Sequence, residues 1–224
     1  MKWITEFLTS TIGRKIVMSL TGLFLISFLL VHLIGNLQLL KGDEGEAFNV
    51  YAYFMTHNPL IKTVSYGLYF FILLHTIVGI LLWAKNRKAK GQKNAITSGV
   101  KTSWASRNMA LLGSLIFAFL LIHMGDFWWK MKFGSAPVAM YGGEEYKDLY
   151  RLCVETFSQP IFVIAYIIGM IVLAFHLWHG FQSAFQTLGL NHKKYTPIIQ
   201  GLGKIFSIVV PVGFAIIPII MYFS

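Results

Sequence analysis

The fold of this chain is decided by residues 16–40, IVMSLTGLFLISFLLVHLIGNLQLL. The stretch contains no Asp, Glu, Lys or Arg, and most of its side chains are apolar. A helix that crosses the hydrocarbon core of a bilayer needs about 20 such residues. The stretch therefore predicts a membrane-spanning helix, and its one ionisable side chain, His32, falls deep inside that span.

Four further intervals without charged residues follow along the 224-residue chain, at residues 63–84, 108–125, 156–192 and 205–224. Only 12% of all residues are charged, whereas a soluble domain carries about 25%. We predict an all-α, polytopic membrane protein that forms a single membrane domain over residues 1–224. Its five spans are expected at about 15–40, 61–84, 107–129, 160–186 and 203–223.

The formal net charge of +10 is distributed unevenly along the chain. With a cytoplasmic N-terminus, the cytoplasmic segments are 1–15, 85–107 and 193–204, and they hold 13 of the 19 basic residues but only one of the nine acids. Basic loops of membrane proteins tend to stay in the cytoplasm. We therefore predict a cytoplasmic N-terminus and an outside C-terminus. The positive charge indicates topology rather than binding to nucleic acid.

The seven histidines are the most informative polar residues of the chain. His57 and His192 fall in loops or at helix ends, where a solvated side chain is the simplest interpretation. The other five lie inside the predicted spans: His32, His75, His123, His176 and His179. An ionisable side chain inside a membrane is costly and points to a function. One such histidine could simply link two helices, but one in each of four consecutive spans favours a shared role.

The depth of each histidine follows from its distance along the helix to the cytoplasmic end of its span. At a rise of about 1.5 Å per residue, His32 lies roughly 24 Å and His123 roughly 21 Å from that end. His75 and His176 both lie about 14–15 Å from it by the same rule. The histidines thus sort into an outer pair, His32 with His123, and an inner pair, His75 with His176. Two depths argue against one zinc or copper site shared by all four.

Two stacked histidine pairs in an apolar bundle predict two non-covalently bound haems b. Iron with two histidine ligands has no free coordination position and carries electrons, and neutral imidazole is the form that binds metal. Gly35, Gly79 and Gly180 follow a ligand by three or four residues, so we expect them on the ligand faces, beside the haems. His179, one turn after His176, stays open as the inner ligand or as a hydrogen-bond partner of a haem propionate.

These features resemble the cytochrome b membrane anchor of succinate dehydrogenase/fumarate reductase, in its single-chain, five-helix, dihaem form. The resemblance covers essentially the whole chain, and its specific part is one histidine in each of four helices and none in the fifth. The shared motifs are residues 13–15 (GRK), 19–22 (SLTG), 32–36 (HLIGN) and 176–180 (HLWHG), continuing to Ser183 and Gly189.

The resemblance implies partners, a substrate and a location. Members anchor a flavoprotein subunit and an iron–sulfur subunit on the cytoplasmic side of the bacterial inner membrane. Electrons pass between dicarboxylate chemistry there and a quinone, commonly menaquinone, through the two haems. The first and third helices hold the outer haem, and the second and fourth hold the inner one. The chain itself is then an electron-transfer subunit, and its basic segments 1–15 and 85–107 are candidate docking surfaces.

The direction of the reaction and the quinone site are indicated more weakly. Some fumarate-reducing members carry a glutamate two residues before the fourth-helix ligand and use it to move protons, but this chain has Ala174 there. The difference favours succinate oxidation with quinone reduction. Because quinone chemistry needs a proton donor or acceptor, we expect the quinone near the outer haem, beside the loop with Asp43, Glu44 and Glu46.

Two alternatives stay open. The first is a dihaem cytochrome b anchor of another respiratory enzyme, such as a hydrogenase or formate dehydrogenase, which the co-purifying subunits would identify. The second is a haem-free, proton-coupled transporter that uses the histidines as proton relays. The inverted repeats typical of transporters are not visible in the sequence, although Pro211 and Pro218 interrupt the fifth span.

Overall fold

Helices dominate the computed structural model of the chain, which describes residues 2–89, 103–134 and 136–224. Five stretches of helix are long and apolar enough to cross a membrane, with mean hydropathies of 1.9 to 2.4. They are Thr11–Leu40, Pro59–Lys88, Met109–Phe133, Pro160–Thr187 and Thr196–Phe223. The prediction of a nearly all-α fold with five membrane-spanning helices is confirmed, and its orientation stays a prediction from the charge bias.

The elements follow one another with short connections. The first two spans and their surroundings comprise α1 (Lys2–Thr9), α2 (Thr11–Asn36) with a 3-10 turn at Leu37–Leu40, α3 (Glu46–His57) and α4 (Pro59–Ala89). The third span and its surroundings comprise α5 (Trp104–Arg107), α6 (Met109–His123), a π-helix (Met124–Trp129) and α7 (Lys130–Phe133). The remainder comprises β1 (Val138–Tyr141), β2 (Glu144–Lys147), α8 (Leu149–Phe157), α9 (Pro160–Thr187) and α10 (Thr196–Phe223).

Several spans extend beyond the bounds expected from charge. The first begins at Thr11 rather than near residue 15, because Ser10 caps it by accepting a hydrogen bond from the Gly13 amide at 2.9 Å. The third continues to Phe133, and the fifth begins at Thr196 rather than near residue 203. Polar side chains at these ends can reach the aqueous interface while the backbone stays helical. A charge-free interval therefore marks the apolar part of a helix and not its ends.

Contacts between side chains define the packing of the bundle. α2 lies against α4 and α9, and α9 also packs against α6 and α10. The Lys85 ammonium, near the end of α4, donates to the Thr11 hydroxyl at the start of α2 at 2.6 Å, so these two helices are antiparallel. We call the end of the bundle where α2 begins the N end, and the end where α3 and α8 lie the loop end.

The best-packed part of the bundle lies toward the loop end. The buried apolar cluster there consists of Leu33, Leu39, Cys153, Phe157, Val163, Tyr166, Val210 and Ile217. Burial raises the pKa of the Cys153 thiol to about 12, which leaves this side chain uncharged and unreactive at neutral pH. Many apolar side chains elsewhere on the long helices are exposed, as expected for surfaces that face lipid.

A small cap that the sequence did not predict covers the loop end. It consists of α3, the antiparallel hairpin of β1 and β2, and α8. Asn49 of α3 is 1% exposed and joins the three parts. Its amide donates to the Tyr141 hydroxyl at 3.0 Å and to Asp148 Oδ1 at 2.9 Å, and its carbonyl oxygen accepts from the Tyr150 amide at 3.0 Å. These segments are short and charged, so they carry no span signal.

Candidate functional site

The four candidate histidines meet as two pairs inside the bundle. The ring centroids of His32 in α2 and His123 in α6 are 5.8 Å apart, with an angle of 82° between the ring planes. Those of His75 in α4 and His176 in α9 are 6.4 Å apart, with an angle of 66°. The structure thus brings together the same outer and inner pairs that the depths indicate.

Each pair offers two imidazoles and no third ligand. Among the described residues, no three His, Cys, Asp or Glu side chains converge as a metal site would require. A structural zinc site has four protein ligands and a catalytic one has three, so neither pair resembles these. Two facing imidazoles instead match the axial ligands of a haem iron, whose other four ligands come from the macrocycle.

The ring separations fit one metal ion between two imidazoles. An imidazole nitrogen lies about 2 Å from a bound metal ion and about 1.1 Å from its own ring centre, so two imidazoles on opposite sides of one ion have centroids about 6.2 Å apart. The inner pair has a separation of 6.4 Å and the outer pair one of 5.8 Å. Both values lie within half an ångström of this expectation.

A hydrogen bond from the first span fixes the ring of His75. The Thr21 hydroxyl oxygen lies 3.0 Å from His75 Nδ1, and Thr21 is only 3% exposed. The hydroxyl donates its hydrogen to the Val17 carbonyl at 2.8 Å. Since that hydrogen is in use, the Thr21 oxygen accepts from Nδ1–H, and the lone pair of His75 is left on Nε2. This is a tautomer that can bind metal.

The second ring of the inner pair contains an unpartnered polar atom. His176 Nδ1 is buried and has no hydrogen-bond partner among the described residues. Buried polar atoms in proteins are nearly always hydrogen-bonded, so such an atom calls for an explanation. A site completed by a bound group provides one. His179 lies one turn further toward the N end, and the ring that faces His75 belongs to His176.

Glycines leave room beside the inner pair, but they are not the predicted ones. A Cβ at Gly22 would lie 3.3 Å from His75 Cε1, and a Cβ at Gly113 would lie 3.9 Å from His176 Cε1. The predicted glycines have other neighbours: a Cβ at Gly35 would collide with the Tyr51 ring and one at Gly79 would meet Met18, while one at Gly180 would meet no described atom within 4 Å. The expectation for Gly35, Gly79 and Gly180 is therefore wrong, because helical spacing does not tell which helix each one faces.

The outer pair is surrounded by aromatic rings. His32 stacks on Phe28 at 5.1 Å and lies 5.5 Å from Phe214 of α10. The Asn36 amide nitrogen, one turn later, lies 3.2 Å from His32 Nδ1 and also donates to the His32 carbonyl at 2.7 Å. His123 stacks on Phe119 at 5.9 Å. These rings form an apolar setting on α2, α6 and α10.

His123 also contacts a polar chain that was missed from the sequence. The Tyr166 hydroxyl of α9 lies 3.5 Å from His123 Nδ1 and donates to Asp126 Oδ2 at 3.2 Å. Asp126 lies in the π-helix and is 9% exposed. A signal was present, since Asp126 is the acid nearest to a histidine in the third span. Its partner Tyr166 could not be identified without the packing of α9 against α6.

The remaining histidines lie away from these pairs. His57, at the end of α3, stacks on Tyr53 at 3.9 Å, and its Nδ1 lies 2.8 Å from the Tyr53 carbonyl. His192, in the connection before α10, accepts a hydrogen bond from the Lys194 amide at 3.2 Å. Both side chains are exposed, in agreement with their expected solvation.

The predicted quinone and docking regions are described only in part. The Asp43 carboxylate accepts hydrogen bonds from the Gly45 and Ala47 amides, each at 3.1 Å, and so shapes the start of α3. Glu44 and Glu46 beside it are exposed. In the basic segment 85–107, the candidate docking residues Lys90, Lys93 and Lys101 lie outside the described residues.

Comparison of the chain with protein-family models, with curated proteins and with solved structures finds no match. The function is therefore inferred from the residues and their geometry.

Proposed function

We propose that this chain is a dihaem cytochrome b, with His32 and His123 as the ligands of one haem b and His75 and His176 as the ligands of the other. The observation that carries the proposal is the meeting of two separate imidazole pairs at 5.8 Å and 6.4 Å inside an apolar helical bundle. The unpartnered His176 Nδ1 and the space beside Gly22 and Gly113 support it.

The residues of the chain would determine what the bound group can do. When bound, haem b supplies a one-electron change between ferric and ferrous iron. The facing imidazoles occupy both axial positions, which excludes oxygen or substrate from the iron. The acceptors at His75 Nδ1 and His123 Nδ1 keep Nε2 of each ring free to bind metal. These features suit electron transfer rather than oxygen activation.

We propose further that the chain is the membrane anchor of a succinate:quinone oxidoreductase. The resemblance to that family supports a flavoprotein and an iron–sulfur subunit at the N end, and quinone, most consistently menaquinone, near the outer pair. The N end carries Arg14, Lys15, Lys85 and Arg87, which fits a cytoplasmic side. The bacterial inner membrane is the corresponding location. The sequence contains no dinucleotide fingerprint and no cysteine cluster, so the dicarboxylate chemistry would belong to the partners.

The haem content of the purified complex tests the first part of the proposal. A reduced-minus-oxidised spectrum together with haem quantitation should give two haems b per chain. A chain that assembles in the membrane without haem would refute the proposal and would favour a proton-coupled transporter that uses the same histidines.

The co-purifying subunits test the second part. A flavoprotein and an iron–sulfur protein with succinate-dependent reduction of the haems would support the proposed enzyme. A nickel or molybdenum protein in their place, with two haems still present, would assign the chain to a hydrogenase or formate dehydrogenase instead.

A further inference from the structure

Asp126 is a buried acid in the third membrane span, close to the outer pair. It is 9% exposed and lies in the π-helix, three residues after His123. A carboxylate at such a place is costly unless a partner satisfies it. Tyr166 of α9 is such a partner, because its hydroxyl donates to Asp126 Oδ2 at 3.2 Å. Short π-helices inside longer helices are often found at functional sites.

The hydrogen bond to Asp126 sets the direction of the next contact. Tyr166 is 7% exposed, and its oxygen lies 3.5 Å from His123 Nδ1, a long hydrogen bond. The single hydroxyl hydrogen of Tyr166 points to the carboxylate, which only accepts when it is ionised. The Tyr166 oxygen is therefore an acceptor toward His123. Nδ1 carries the proton, and the lone pair of His123 is on Nε2.

We propose that Asp126 is a positioning residue for the outer haem: through Tyr166 it holds His123 in the metal-binding tautomer and makes its imidazole a stronger electron donor. This inference rests on the haem ligation proposed above. Removing such a partner of a ligating histidine changes metal affinity or activity by about 10–100-fold. A stronger donor favours ferric iron, so the chain Asp126–Tyr166–His123 lowers the reduction potential of the outer haem.

A second hydrogen bond of the same π-helix provides a matched control for a purely structural role. The Trp128 indole donates to the Tyr69 hydroxyl of α4 at 2.8 Å. This bond also links the third span to a neighbouring helix through a tyrosine hydroxyl. It ends on an indole and not on a histidine.

The test is a redox titration of the purified complex with three variants: Asp126→Asn, Tyr166→Phe and Tyr69→Phe. In the first two, the outer haem should become easier to reduce by about tenfold in its equilibrium constant, which is about 59 mV for one electron. The inner haem should keep its potential. Tyr69→Phe should move neither. Asp126→Asn preserves the side-chain volume, so it provides the answer if Tyr166→Phe fails to assemble.

Two outcomes would overturn the inference while leaving the proposed function intact. One is an outer wave that stays in place in both Asp126→Asn and Tyr166→Phe. The other is an equal movement of that wave in Tyr69→Phe. Selective loss of the outer haem in Asp126→Asn would support the inference, since a weaker ligand binds less tightly. A wild-type chain without haem would refute the proposed function itself, and the haem count shows this separately.

Discussion

The outer and inner histidine pairs use the same ligand type in different surroundings. His123 of the outer pair is connected through Tyr166 to a buried carboxylate, beside the best-packed part of the bundle. His75 of the inner pair contacts only a neutral threonine hydroxyl, and its partner ring has an unpartnered Nδ1. A nearby negative charge favours the ferric state of a haem more than a neutral dipole does. We therefore expect the outer haem to have the lower reduction potential.

The difference teaches that ligand identity alone does not determine what each site does. Four histidines in four spans indicate two similar centres, but the second layer of residues makes the centres unequal. An electron carrier with two unequal centres has a preferred direction along which electrons go downhill. The variants below test this inequality, beginning with the largest expected effect.

Replacing His176 by alanine should remove the inner haem completely, because the ring facing His75 belongs to His176. Replacing His179 by alanine should leave both haems bound. Haem quantitation and the number of redox waves measure the two outcomes. Loss of the inner haem in His179→Ala, with retention in His176→Ala, would assign the ligand role to His179 instead.

Filling the space beside His75 should empty the inner site and spare the outer one. A Cβ at Gly22 would lie 3.3 Å from His75 Cε1, so Gly22→Leu would place further atoms where the ring and its ligand need room. Gly180→Leu is the matched control, since a Cβ there meets no described atom within 4 Å. We expect one haem per chain in Gly22→Leu and two in Gly180→Leu. Equal haem contents in the two variants would contradict the proposed inner pocket.

Removing the neutral acceptor of the inner pair should shift a potential without losing a haem. In Thr21→Val the shape is kept, but His75 Nδ1–H loses its acceptor, at a cost of about 1–3 kcal/mol. The inner wave should move to higher potential by less than the outer wave moves in Asp126→Asn, because a hydroxyl carries no full charge. A shift of the outer wave in Thr21→Val would show that the two surroundings are not independent.

Weakening the cap at the loop end should lower stability with the smallest effect on either haem. Asn49→Ala removes three hydrogen bonds of a side chain that is 1% exposed, and we expect a loss of about 2 kcal/mol. Thr56→Ala, in the same helix, is the control, since its hydroxyl donates within α3. The measurement is the midpoint of thermal inactivation. Equal midpoints for the two variants would show that Asn49 does not hold the cap together.

The spans and the histidine pairs could be predicted because they depend on properties that run along one helix. Hydrophobic length determines which segments cross a membrane, and the rise per residue determines the depth of each histidine. Neither requires knowledge of which helices touch. The pairs His32 with His123 and His75 with His176 followed from depth alone.

The second layer could not be predicted because it depends on how neighbouring helices are rotated against each other. Thr21 and Tyr166 are far in sequence from the histidines they contact, and no spacing rule connects them. The glycine expectation was wrong for the same reason. The cap around Asn49 was missed because its elements are short and polar, and their stability comes from contacts with each other.

Two matched double variants test the central claim, the pairing of the histidines, most directly. His32→Ala with His123→Ala removes both ligands of the outer pair, and His32→Ala with His75→Ala removes one ligand from each pair. The measurement is the number of haems b per chain in the purified membrane protein. The account predicts one haem in the first variant and none in the second. One haem in the second variant and none in the first would contradict it, because His32 and His75 would then be ligands of a single haem.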